Sequence, residues 1–219
     1  MNKGPAHGAH GGGYWQPAPD DVARAGVVEL RLRGAAPMAL ATLSHTFSPR
    51  RIDPGTTLLL EAVLAHFAPG GGPPPSRIAD LGAGYGPLGL ALARRFPEAD
   101  VDLIELNARA AEAAEQNAKR HGLGRVRVHV GDVAALWHRL GPWDLVVTNP
   151  PIRAGRSVYG PWLAEAAEHL REGGSFWFVC RTAQGAASLQ AMLAGALSDV
   201  VVVARQSGYR VARGRRTPA

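Results

Sequence analysis

From Arg77 onward the chain alternates short apolar runs with helix-forming stretches, and this restricts the fold more than any other feature. The stretch Arg77-Ile-Ala-Asp-Leu81 reads as a strand, and the spacing after it predicts a helix over 87–95. Further strands are expected at 101–105, 126–130, 143–148, 175–180 and 200–204, the last returning through Tyr209 and Val211 across Ser207-Gly208. Helices are expected over 109–120 with Gly122 as its stop, in a short segment ending at His138, over 160–170 and over 186–196. Strands and helices in that order imply a mostly parallel sheet covered on both faces. The expected architecture is therefore α/β: a Rossmann-like, doubly wound, seven-stranded sheet ending in an antiparallel C-terminal hairpin strand. Open sheets of this kind bind ligands at the carboxyl ends of their strands.

The residues before this region read differently. Positions 1–20 form a Gly/His/Pro tail with too little apolar surface to pack. Its His7 and His10 can bind a metal in principle, but a His-Gly tail offers no fixed geometry. Positions 21–76 form a small β/α appendage: a strand over 27–33, a return over 39–43, and a helix over 55–67 that puts Leu59, Val63 and Phe67 on one face. The loop Pro69-Gly-Gly-Gly-Pro-Pro-Pro-Ser76 separates this appendage from a ligand-binding domain at 77–219. The opening residues have no apolar core of a secretory signal, and no apolar run is long enough to cross a bilayer.

The single cysteine, Cys180, excludes an internal disulfide and a cysteine-based zinc site, and fits a reducing cytoplasm. It falls within an apolar strand, so it is expected in the core. No resident metal is expected. Basic residues number 24 against 18 acidic, a net charge of +6, and all but Lys3 and Lys119 are arginine. Arginine forks suit phosphate and guanine. Biased composition explains them equally well, so charge alone leaves a nucleic-acid partner open.

The first strand of the alternating region ends in Asp80-Leu-Gly-Ala-Gly-Tyr-Gly86. Gly82, Gly84 and Gly86 let the backbone turn sharply and approach a ligand closely. A dinucleotide fingerprint needs its third glycine at position 87, which is proline. Asp80 places negative charge where a pyrophosphate would otherwise come, which favours a ligand carrying positive charge. The second strand ends in Glu105, placed to accept both hydroxyls of a ribose. The third runs into Asp132-Val133, where a carboxylate and an amide can read an adenine edge. Three carboxylates at successive strand ends, beside a glycine loop, suit S-adenosylmethionine.

After the fourth strand comes Asn149-Pro150-Pro151-Ile152. Two prolines fix φ and remove two donors, leaving a rigid stub that offers the Asn149 side chain and the Pro150 carbonyl as acceptors. Two fixed acceptors can hold the hydrogens of a planar NH2 group and steer its nitrogen toward an electrophile.

The Asp80–Gly86 loop, Glu105, Asp132 and Asn149-Pro-Pro-Ile152 together resemble class I S-adenosylmethionine-dependent methyltransferases. The closer resemblance is to the "methyltransferase small" family, which includes the small-subunit ribosomal RNA guanine-N2 methyltransferases. It also rests on Phe47-Ser48, Ile52-Asp-Pro-Gly-Thr56, Ile152-Arg-Ala-Gly-Arg156, Thr182-Ala-Gln-Gly-Ala186 and Gly208-Tyr-Arg-Val211, and covers the chain from Val27 onward. Two departures stand out: many members carry an aromatic residue where Ile152 stands, and the two-domain bacterial enzymes have an N-terminal domain for which 219 residues leave no room.

The resemblance implies direct methyl transfer to an amine, most readily guanine N2 in ribosomal RNA, with ribosomal RNA or the small subunit as partner. In that reading Asn149, Pro150, Pro151 and Ile152 form the catalytic segment. Asp80, Gly82, Gly84, Gly86, Glu105, Asp132 and Val133 hold the cofactor. Phe47, Arg153, Arg156 and Arg210 meet the substrate, with Arg213, Arg215 and Arg216 also placed to meet phosphates. Adenine N6 and protein glutamine remain alternative amines. A silent binding module is the alternative from another class. A monomer is assumed.

Overall fold

The computed structural model describes residues 25–43 and 50–217. Phe47 and the tail at 1–20 lie outside the described residues. Two strands open the fold, β1 (Ala25–Leu30) and β2 (Met38–Leu43), paired antiparallel with Val28 opposite Leu40. Their alternation puts Val28, Leu30, Met38 and Leu40 inward, all buried. The turn closes at Ala35, whose amide donates to the Leu32 carbonyl, so β1 ends earlier than the 27–33 expected from alternation alone.

Helix α1 (Pro54–His66) begins where Asp53 accepts from the amides of Gly55 and Thr56, with Pro54 supplying a helix-compatible φ at its first position. The main sheet then follows as β3 (Arg77–Leu81), α2 (Pro87–Arg95), β4 (Asp100–Glu105), α3 (Ala108–Arg120), β5 (Val126–Val130), α4 (Val133–Leu140) and β6 (Trp143–Thr148). It continues through α5 (Arg156–Ala164), α6 (Ala166–His169), β7 (Leu170–Arg181), α7 (Ala186–Ala196), β8 (Ser198–Gln206) and β9 (Tyr209–Arg215). The sheet order is β5-β4-β3-β6-β7-β9-β8, parallel except that β9 runs antiparallel to both neighbours. This is the expected seven-stranded, doubly wound architecture. The chain winds outward from β3 to β5 and then crosses back to β6, which makes the β3/β6 boundary the switch point.

Helices cover both faces. One core packs α1, α2 and α3 with Ile78, Leu103, Val147 and Trp177; the other packs α4, α5 and α7 with Trp137, Trp143, Phe176 and Leu193. Central strands such as β4 and β6 are therefore buried almost throughout, as a parallel sheet sandwiched between helices requires.

The helix expected over 160–170 differs. It starts earlier, at Arg156, and breaks at Glu165, and the next strand begins at Leu170. The strand expected over 175–180 starts earlier, at Leu170, and β7 runs through Gly173 and Gly174. Gly173 sits at φ +77, and a side chain on Gly174 would press on carbonyl oxygens of Arg171 and Trp143 at 2.8 and 3.0 Å. The glycines serve an irregularity in the strand, where the pairing with β6 shifts register between Trp143 and Leu145.

The small sheet is tied to the main fold through Asn117 of α3, which is fully buried. Its Oδ1 accepts from the Ala41 amide at 2.7 Å, and its Nδ2 donates to the carbonyls of Ala41 and Tyr85, both at 3.0 Å. Among the described residues no helix is long and apolar enough to cross a membrane.

Candidate active site

The glycine loop leaves the carboxyl end of β3 at the switch point. Gly82, Gly84 and Gly86 have φ of +69, +60 and +90, which an L side chain adopts only under strain. The amides of Gly82 and Ala83 donate back to the Ile104 carbonyl, so the loop folds over the end of β4. No atom lies within 4 Å of where a Gly84 side chain would stand, which leaves open space above the loop.

Asp80 is buried beneath this loop, 1% exposed. Its Oδ2 accepts from the Gly89 amide in the first turn of α2, at 2.9 Å, while its Oδ1 has no partner. Burial is the main cause that pushes its carboxyl up to about 7; the Gly89 amide opposes that and the nearby Glu105 charge adds to it. A buried carboxyl with one unpartnered oxygen is a group that a cation would ionise and satisfy.

Glu105 ends β4 and fastens the loop. Its Oε2 accepts from the Gly84 amide and its Oε1 from the Asn107 amide, each at 2.8 Å. Burial raises its carboxyl pKa against these amide bonds. The Leu106 amide also bonds this carboxyl, and its remaining acceptor capacity is open to a hydroxyl donor. Asp132, at the end of β5, is exposed and caps α4 by accepting from the Ala134 amide at 2.9 Å; Val133 beside it is buried. The chain thus aligns Asp80, Glu105 and Asp132 along three adjacent strand ends. An orphaned buried acidic oxygen, an open glycine cradle and two carboxylates with free lone pairs fit a ligand bearing a cation and a ribose.

Asn149 follows the adjacent strand, β6. Its Nδ2 donates to Asp53 Oδ1 and to Thr56 Oγ1, both at 3.1 Å. Asp53 also accepts from the Gly55 and Thr56 amides and, on Oδ2, from the Tyr209 hydroxyl at 3.1 Å. Asp53 acts as acceptor in every one of these bonds, so the amide nitrogen of Asn149 must face it and Oδ1 is left to face away. The Pro150 carbonyl accepts from the Ile152 amide at 2.8 Å, closing an inverse γ-turn at Pro151 (φ −74, ψ 75) and keeping its second lone pair. Ile152 opens a short 3₁₀ turn through Ala154 and packs on the second core.

Clamp and loop are neighbours. The Thr148 hydroxyl donates to the Leu81 carbonyl at 2.8 Å, and a side chain on Gly82 would meet Trp162 at 3.5 Å and Pro151 at 3.9 Å.

The arginines divide by edge. Arg153 and Arg156 are exposed just beyond the prolines, and Arg210 lies opposite Cys180 near the carboxyl end of β7. Arg215 and Arg216 are carried to the other edge because β9 runs antiparallel, with Arg213 midway opposite Trp177: Arg215 pairs with Ser175, and Arg216 donates to the Leu170 carbonyl. At ~3.3 Å per residue, Arg215 stands ~20 Å along the strand from Tyr209. Cys180 is buried and its thiol is pushed up to about 11 by desolvation, which suits core packing and not nucleophilic attack.

Four neighbours were not assigned roles from sequence: Asp53, Thr56, Tyr209 and Arg181. Asp53, Thr56 and Tyr209 lie within Ile52-Asp-Pro-Gly-Thr56 and Gly208-Tyr-Arg-Val211, so the signal was their co-occurrence with Asn149-Pro-Pro. Arg181 has its guanidinium 4.6 Å from the Tyr209 ring centroid and carried no signal.

The sheet order, the switch-point loop and the strand-end carboxylates are those of the S-adenosylmethionine-dependent methyltransferase fold. A family profile described as the methyltransferase small domain matches residues 37–213, and the chain belongs to that family. Among relatives, the uncharacterised protein YbxB of Bacillus subtilis is 33% identical over 79% of this chain and 83% of its own length. The Pseudomonas entomophila protein named ribosomal RNA small subunit methyltransferase C is 33% identical over 82% of this chain. Among solved structures, the Thermus thermophilus 16S rRNA N2 G1207 methyltransferase in complex with AdoMet and guanosine superposes with a TM-score of 0.77 at 27% identity, over 91% of this chain. The chain spans about half of these last two proteins, 52% of each.

Proposed function

We propose that this chain is a cytoplasmic S-adenosylmethionine-dependent N-methyltransferase acting on guanine N2 of ribosomal RNA in the small subunit. The observation that carries the reading is the orientation of Asn149, whose two N–H groups are taken by Asp53 and Thr56 so that only an acceptor faces outward. In this reading residues 77–219 hold the cofactor, and 21–76 supply Asp53 and Thr56.

Bound at the glycine loop, S-adenosylmethionine supplies a methyl group on a positively charged sulfur. Asp80 and Glu105 provide carboxylates for its ammonium end and ribose, and Asp132 with the Val133 amide borders its adenine. Asn149 Oδ1 accepts one hydrogen of the target amine, and the free lone pair of the Pro150 carbonyl accepts the other. With both hydrogens held, the nitrogen lone pair points out of the plane of the base toward the loop. As the N–C bond forms, the S–C bond would break to leave a neutral thioether, and one of the two held protons would leave through its acceptor to water. Positioning the two reactants in line accounts for most of the rate in such a site, without a covalent enzyme intermediate. Ile152 packs against the base in place of an aromatic ring, forgoing stacking of ~1–3 kcal/mol. Arg153, Arg156 and Arg210, with Arg181 beside them, line the approach for phosphates. The Thermus protein, whose structure contains guanosine, supports guanine over the other planar amines.

The test is incubation with labelled cofactor and undermethylated ribosomal RNA, followed by nuclease digestion. Label recovered as N2-methylguanosine supports the proposal. Label in adenine or in protein redirects it to the alternative amines, and label in neither overturns it.

A further inference from the structure

At the edge of the sheet opposite the glycine loop, three metal-binding side chains converge from different segments. His138 lies in the last turn of α4, Glu165 joins α5 to α6, and His169 ends α6 directly before β7. One donor atom from each lies within 4.8 Å of the others, and His138 Nε2 is 3.8 Å from Glu165 Oε2.

His169 is the unusual member. It is 6% exposed, and its Nε2 is buried with no hydrogen-bond partner. The Trp137 ring stacks on it at 3.9 Å between centroids, and the His138 ring meets it edge-on at 4.7 Å. An unsatisfied buried nitrogen costs ~1–3 kcal/mol, so a water or an ion is expected to meet it. The side chains of His138 and Glu165 are 54% and 37% exposed, giving an ion a route in from solvent.

We propose that His138, Glu165 and His169 bind one Zn²⁺ ion, with water completing a four-coordinate shell. Two imidazoles and a carboxylate are a borderline N/O donor set, which suits zinc better than calcium or magnesium. Zinc–ligand bonds of about 2.0–2.2 Å place tetrahedral donors ~3.4 Å apart. The present separations close to that by rotation of the two more exposed side chains onto the buried one. The bound ion would tie the end of α4 to the segment entering β7, on the far side of the sheet from the methyl-transfer site.

The experiment uses the full chain carrying His7→Ala and His10→Ala, so that the tail contributes nothing. ZnCl2 is titrated by calorimetry, and Co²⁺ is added separately to read its visible absorption. The proposal expects one Zn²⁺ per chain, a tetrahedral Co²⁺ band and a higher melting temperature with Zn²⁺. His138→Ala and Glu165→Ala, at an exposed and a half-buried position, are each expected to weaken Zn²⁺ binding by at least about tenfold and to remove the Co²⁺ band. Their melting temperatures without metal should match the parent. Absence of one-to-one binding, or binding unchanged by both substitutions, overturns the proposal and leaves His169 Nε2 to a water.

Discussion

The side-chain amide of Asn149 donates to Asp53 Oδ1 at 3.1 Å across 96 positions of sequence. Asp53 therefore sets which atom of Asn149 faces the open side of the clamp. Asp53→Asn keeps a helix-capping oxygen but loses the obligatory acceptor that orients Asn149. We expect the single-turnover methyl-transfer rate to fall at least about tenfold, the order of a misplaced reacting group, while the cofactor Kd from calorimetry stays within a few-fold. A parallel loss of cofactor binding would show that Asp53 acts by holding the fold.

Asn149→Ala removes the acceptor itself. Transfer should be abolished with the cofactor Kd again within a few-fold. Equal loss of both would end the orienting role assigned to Asn149.

Asp80 provides a pH test. Its pKa is raised from 3.8 to about 7 in the folded chain. Stability from this group is thus full below the unfolded value and is lost as pH rises through about 7, a loss on the order of 4 kcal/mol. Asp80→Asn should therefore melt higher than the parent at alkaline pH, with little difference in acid. The cationic cofactor favours the ionised carboxyl, so parent affinity should rise between about pH 6 and about pH 8, and the Asn variant should bind more weakly without that rise. A parent Kd independent of pH would remove Asp80 from the cofactor site.

Neighbouring glycines separate cradle from core. A side chain at Gly84 meets nothing within 4 Å but requires φ +60. Gly84→Ala should cost only ~1–2 kcal/mol of stability in thermal unfolding, yet weaken cofactor binding severely by filling the cradle. Gly89→Ala would collide with Leu103 and press on Asp80, and should lose the fold.

The division of arginines by edge predicts a division in salt dependence. Gln at Arg153, Arg156, Arg181 or Arg210 should lower the slope of log affinity for single-stranded RNA against log salt, by up to about 0.7 for each phosphate no longer neutralised. Arg215→Gln, at the far edge, should leave the slope unchanged. Fluorescence anisotropy across a salt series reads both.

The succession of strands and helices and the glycine loop were legible because period-2 and period-3.6 patterns are local, and Gly82, Gly84 and Gly86 each need a positive φ that sequence announces. The start of β7 was not: the strand expected over 175–180 begins at Leu170, and only the structure shows it passing through Gly173-Gly174. The C-terminal arginines looked like one cluster because adjacency in sequence hides strand direction; β9 splits them between two edges. Asp53, Thr56 and Tyr209 lie within the Ile52–Thr56 and Gly208–Val211 stretches, but a hydrogen bond spanning 156 positions leaves no periodic trace. His138 and His169 likewise meet only after α4 and α6 have packed.

Asp53 accepts from Tyr209 as well as from Asn149. On a chain growing from its amino end, Asp53 therefore gains this partner only once Tyr209, the first residue of β9, has been added. The environment that fixes Asn149 is incomplete until the strand laid between β7 and β8 has begun.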